Sequence, residues 1–210
     1  MHGSDPILLS QNEWASLGEK AARGAGYDWG HAEEFGWALA ELAGMGIDGS
    51  TVLCELLALF ETDAITVPKR LSDLKPSANR APLCPVVTGA ALCDLGDLAL
   101  ESAALELGDV CYPIFLLPFL DRMSAQIGKR VLAFERDRQL TPQNPDLQTG
   151  TIRLGTTQMA TAKDRNGAFQ RIGIQSQAFE QLKSLGMRTT VPATEQSRAA
   201  GAGAGLTDND

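Results

Sequence analysis

Apolar residues recur at helical spacing through the first third of the chain. Trp14, Leu17 and Ala21 repeat on one face. Ser10 and Glu13 precede them with S-x-x-E spacing, which predicts a capping box, and Gly24 and Gly26 should stop the helix. Asp28 is placed to cap a second helix, in which Ala32, Phe35, Leu39 and Leu42 share a face before Gly44 and Gly46. A third helix starts near Asp48 or Ser50 and brings Leu53, Leu57 and Phe60 together. Such stripes must bury against one another or against a sheet.

The pattern then changes. "VPKRLSDLKPSANRAP", from Val67 to Pro82, carries Pro68, Pro76 and Pro82 without a period and predicts an irregular connection. Beyond it, "CPVVTGAALCDL" predicts a strand and "AALELGDVCY" a second. "PIFLLPFLDRMSAQIG" predicts a helix from Pro113 or Pro118 to Gly128, because Pro118 would kink a longer one, and "KRVLAFE" a strand after it. "TIRLGTTQMATA" and "AFQRIGI" flank "KDRNG", and Asn-Gly between strand-like runs predicts a hairpin. Ser176 is placed to cap a helix bearing Phe179, Leu182 and Leu185 and ending at Gly186, with "MRTTV" as a last strand. Helices first and hairpin strands later predict an α+β fold, a three-helix segment packed on a mostly antiparallel sheet with interspersed helices. The expected organisation is an acidic helical segment over 1–64, the connection over 65–82, the α+β core over 83–196 and a Gly/Ala-rich tail over 197–210.

Charge sharpens this division. The chain has 210 residues and a net charge of −8. Through Thr62 there are ten carboxylates against Lys20 and Arg23, so the whole −8 sits in that segment and the remainder balances. Nucleic-acid binding needs lysine and arginine to release counterions, so this front excludes a nucleic-acid module. The four cysteines form no CxxC pair, and with His2 and His31 the only histidines a Cys/His zinc site is not expected. "MHGSDPILLS" lacks a basic n-region and an adequate apolar stretch, so no signal peptide is expected. The apolar run "VCYPIFLLPFL" is about half of what a membrane span requires, so no membrane partner is expected either.

Candidate chemistry gathers at "ARGAGYDWGHAEEFGWALAEL". A glycine-rich loop entering a helix can bind an anion, but Asp28, Glu33 and Glu34 oppose one there. The same stretch also reads as a tight turn between helices, with Trp29 and Trp37 in the core. Glu33 and Glu34 are the acid–base candidates, and as helical neighbours only one of them can face a site. Arg23, Trp29 and Arg198 are candidates for ligand binding, Arg198 because its fork suits a carboxylate. Lys69, Arg70, Lys75 and Arg80 in the connection offer cations to a carboxylate or phosphate, or form a solvated loop. Cysteines with so little histidine nearby read as inert buried thiols. Asp208 and Asp210, with the terminal carboxylate, are candidate oxygen ligands for a hard cation. No cofactor is evident.

Three stretches, "LSQNEWASLGEKAARGAGYDWGHAEEFGWALAEL", "VCYPIFLLPFLDRMSAQIGKRVLAF" and "RTTVPATEQSRAAGAGAGLTDND", resemble the bacterial family of unknown function numbered 3726. The resemblance spans residue 9 to the end and implies a bacterial cytoplasmic protein whose tail belongs to the family pattern. It brings no catalytic residues with it. The expected function is that of a small-molecule metabolic enzyme or metabolite-binding protein, with a homo-oligomer or an enzyme partner expected. The alternative is a non-catalytic accessory subunit that docks on a neighbouring enzyme through the C-terminal tail.

Overall fold

The computed structural model describes residues 7–96, 105–144, 147–158 and 171–189. A short strand β1 (Ile7–Leu9) leads into helix α1 (Gln11–Ala25). The capping box forms as its spacing predicts, with Ser10 and Glu13 each bonding the other's backbone. Gly24 stays inside the helix; Gly26, at φ 110°, turns the chain and donates to the carbonyls of Ala22 and Arg23. Helix α2 (Trp29–Gly44) follows, capped by Asp28, and then α3 (Ser50–Glu61). The predicted face of α2 is fully buried at Ala32, Phe35, Leu39 and Leu42.

The helices approach one another closely because glycines leave room. A Cβ on Gly36 would lie 2.4 Å from the Ala15 carbonyl oxygen, so α1 and α2 meet backbone to backbone. A Cβ on Gly24 would lie 1.8 Å from the carbonyl oxygen of Leu185 in α6 (Ser176–Met187). The final described helix therefore joins the N-terminal helical layer, and one apolar cluster runs from Leu9 to Leu182.

The other half is a four-stranded antiparallel sheet in the order β2-β5-β3-β4, from β2 (Leu105–Cys111), β3 (Lys129–Glu135), β4 (Arg138–Gln139) and β5 (Thr149–Gln158). Along β5, Ile152 and Leu154 are buried while Thr151 and Arg153 are exposed, the alternation of a half-covered sheet. A 3-10 turn (Pro113–Leu116) and helix α5 (Leu117–Ile127) precede β3, and Gly128 closes α5 at φ 66°. The fold is α+β, as the pattern predicts.

Three local expectations are corrected. "CPVVTGAALCDL" is not a strand but helix α4 (Pro85–Leu95). It is apolar nearly all round, so no period separates it from a buried strand, and Pro85 at its first turn costs no hydrogen bond. Gly89 admits the Phe119 ring, which a Cβ would meet at 2.4 Å. Ser176 is the first residue of α6, whose cap is Gln175. Met187 continues that helix, and Arg188 and Thr189 form a turn where a strand was expected. The Asn166-Gly167 turn lies outside the described residues, but β6 (Ile172–Ile174) pairs with β1, Ile7 facing Ile174. Because α6 packs on α1, the strand entering α6 is delivered to the strand entering α1.

The proline-rich connection is closed at its base. Thr66 N–H donates to Pro82 and Cys84 N–H to Thr66, while Leu83 bridges to Val110 of β2. The loop between carries a 3-10 turn (Leu71–Leu74).

Candidate functional site

The turn between α1 and α2 does more than reverse the chain. Gly26 sends Tyr27 into the core, where its ring stacks on Phe60 with centroids 3.8 Å apart and its hydroxyl donates to Cys84 Sγ at 3.5 Å. With Tyr27 anchored, Asp28 sits at the start of α2. Its Oδ1 accepts the His31 backbone N–H at 2.9 Å, and its Oδ2 lies 2.7 Å from His31 Nδ1. One carboxylate therefore caps the helix and orients an imidazole. The His31 backbone N–H, helped by the ring, holds the Asp28 carboxyl below its ordinary value. A carboxylate on Nδ1 makes that nitrogen the donor and leaves Nε2 as the acceptor.

His31 opens onto a pocket of about 260 Å³. One wall is α4, through Val87, Ala90, Ala91 and Leu95, and the other is the loop, through Pro68, Lys69, Arg70 and Leu74; Asp94 completes the lining. The loop wall is held from behind by Asp73. Its Oδ2 accepts the backbone N–H groups of Lys69 at 3.1 Å and Arg70 at 3.0 Å, and its Oδ1 faces Arg80 at 3.8 Å. These bonds, the Lys69 N–H foremost, hold the Asp73 carboxyl below its ordinary value. An oriented imidazole, two cations and an apolar wall around one small cavity make a site that can bind an anion and exchange a proton with it.

The predicted residues divide around this pocket. Arg23 and Trp29 do come together, with the guanidinium 4.4 Å from the ring centroid. Arg23 also donates to the Tyr27 carbonyl, while its Nε is buried without a hydrogen-bond partner among the described residues. Trp29 is 64% exposed and is not the core residue that a tight turn would have made it. Glu34 is committed to an ion pair: Arg122 Nη1 lies 2.9 Å from both of its oxygens, and the guanidinium sits 3.4 Å over the Trp37 ring. Glu33 points elsewhere, into an acidic groove between α1 and α2 with Glu19 and Glu41. Neither glutamate lines the His31 pocket. Arg198, Asp208 and Asp210 lie outside the described residues.

His31 is the residue that sequence reasoning missed. The signal was D-x-x-H, the same cap-to-N3 spacing as S-x-x-E, with a ring where the capping box has a carboxylate. Lys69 and Arg70 were legible as cations, but nothing local linked them to α2.

The thiols offer no rival nucleophile. Burial pushes Cys93 and Cys54 up to about 11 and raises Cys84 and Cys111 as well. A larger groove of about 590 Å³ crosses the outer face of the sheet, with Glu106, Asp109, Glu135 and Asp137 set against Arg136 and Arg153. Thr151 donates to Asp109 at 2.6 Å, and Glu135 pairs with Arg136 at 3.5 Å, so these charges face water and one another. Among the described residues, no group of three histidines, cysteines or carboxylates is placed to hold a metal ion, and no helix is long and apolar enough to cross a membrane.

Residues 9–91 match the model of a family described as protein of unknown function (DUF3726). The match ends before the middle section and tail that also looked similar. No curated protein and no solved structure matches the chain. The matched segment contains Asp28, His31, Lys69, Arg70 and Val87, whereas the sheet groove lies wholly beyond it. Residues 9–91, the part that matches the DUF3726 family model, build α1 to α3 and most of the His31 pocket.

Proposed function

We propose that the protein is a small-molecule enzyme of the bacterial cytoplasm that moves a proton through His31. The observation that carries this reading is the Asp28–His31 pair at 2.7 Å opening onto a pocket of metabolite size. Asp28 fixes the ring so that Nε2 is the acceptor, and it stabilises the imidazolium when the proton arrives. Lys69 and Arg70 hold the anionic end of the substrate against the developing charge. A positioned general acid–base group is worth about 10²- to 10⁴-fold in rate. Four free thiols and no disulfide support a reducing compartment.

The chain has only two histidines, which makes the test direct. A metabolite panel is screened for thermal stabilisation, and each hit is followed by the imidazole NMR signals. A substrate or product should move the His31 signals and leave those of His2 in place. Hits that move neither imidazole would remove His31 from the mechanism.

A further inference from the structure

The walls of the pocket also carry information about what fills it. Its lining holds two cations, Lys69 and Arg70, and one carboxylate, Asp94. This local excess of positive charge borders a helical segment whose net charge is −8. The Asp73 charge behind the loop is offset by Arg80, whose guanidinium lies 3.8 Å from its Oδ1.

The facing wall, α4, carries Asp94 near its end and is otherwise apolar. Val87, Ala90, Ala91 and Leu95 form one stripe of α4, about 12 Å long at the helical rise. Alanine at its two middle positions is what leaves the cavity open. At about 260 Å³ the space is smaller than that of drug-sized ligands, which begins at about 300 Å³. His31 sits beside both walls, where a proton next to the anionic group would be within its reach.

We propose that the pocket takes a small amphipathic acid, its carboxylate or phosphate on Lys69 and Arg70 and a short unbranched apolar body along Val87, Ala90, Ala91 and Leu95. This rests on the pocket being the working site but is independent of proton transfer at His31. The two walls make separate contributions: the cations select the anionic end and the α4 stripe selects chain length.

The test uses the full chain and four probes: inorganic phosphate, acetate, butyrate and hexanoate, with hexanol as the uncharged control. Affinities are read by calorimetry. Butyrate and hexanoate should tighten over acetate by about threefold to fourfold per methylene while the stripe lasts, and hexanol should bind at least about tenfold more weakly than hexanoate. Phosphate against acetate decides which head group the cations prefer. Lys69→Ala/Arg70→Ala, both exposed positions whose loss a melting curve can check, should cost about tenfold or more for every anion. Ala90→Leu should weaken hexanoate and spare acetate. Anion affinity unchanged in the double variant, or no gain with chain length, overturns the proposal. His31→Gln that still binds hexanoate with wild-type affinity but turns over at the wild-type rate would contradict the proton-transfer reading and leave this one standing.

Discussion

The two halves of the molecule each carry a concavity, and the larger one is the poorer candidate for chemistry. The sheet's groove of about 590 Å³ is lined by four carboxylates and two arginines, with Glu135 paired to Arg136 and Asp109 bonded to Thr151, and no imidazole or thiol among them. The helical half offers less than half that volume, but there a carboxylate orients an imidazole, a clasped loop presents two cations, and α4 lines one side with Val87, Ala90, Ala91 and Leu95. Volume is set by where elements happen to diverge. Chemistry needs groups whose geometry is fixed by other groups, and the helical half supplies that fixation through its backbone-to-backbone packing.

The sharpest way to break this comparison is to remove one working group from each concavity. His31→Gln should lower turnover by about 10²- to 10⁴-fold, whereas Glu135→Gln in the groove should leave it unchanged, as steady-state assay on an identified substrate would record. Stability should divide along the same line. Gly24→Ala sets a Cβ against the Leu185 carbonyl and should cost about 3 kcal/mol or more in denaturant unfolding. Gly155→Ala in β5, where a Cβ meets nothing within 4 Å, should fall between neutral and about 1 kcal/mol stabilising.

Charge pairs should follow with a smaller contrast. Arg122 and Glu34 are each about 30% exposed and the guanidinium lies on Trp37, so Arg122→Ala should cost about 1–2 kcal/mol. Arg136 is 89% exposed, and Arg136→Ala should stay within about 0.5 kcal/mol. The smallest effect is one of pH. Glu13, Asp28 and Asp73 all have carboxyls held below their ordinary values by backbone N–H groups. Their contribution is complete above the ordinary carboxylate range near pH 4 and is lost as pH falls through the lower folded values. Hydrogen exchange during an acid scan should therefore report loosening at the start of α1, the start of α2 and the 68–74 loop before the sheet. Glu13→Gln should flatten the first of these.

Much of the fold was legible because its signals are local. The S-x-x-E box, the Asp28 cap, the α2 stripe and the strand "KRVLAFE" each lie within one element. What stayed hidden was decided between elements. "CPVVTGAALCDL" is buried on most sides, so its helix is chosen by packing against Phe119 and its neighbours rather than by a period. The partner of β6 follows from α6 docking on α1, which no hairpin cue reports. The site shows the same limit. Glu33 and Glu34 drew attention as an adjacent pair, yet a cap three residues before a histidine was the more informative spacing. Its meaning appears only when a loop some forty residues later brings Lys69 and Arg70 to the same cavity.

The central claim is that the His31 pocket, not the sheet groove, is where a small molecule binds. The measurement that tests it most directly is a thermal-shift titration of one stabilising ligand on three proteins: wild type, Lys69→Ala/Arg70→Ala, and Asp109→Asn/Glu135→Gln. At a hundred times its Kd a ligand stabilises by about 2.7 kcal/mol, or roughly 5–10 °C for a chain of this size. The account predicts that the shift collapses in the pocket variant and survives in the groove variant. A shift that survives in the pocket variant and collapses in the groove variant would contradict it.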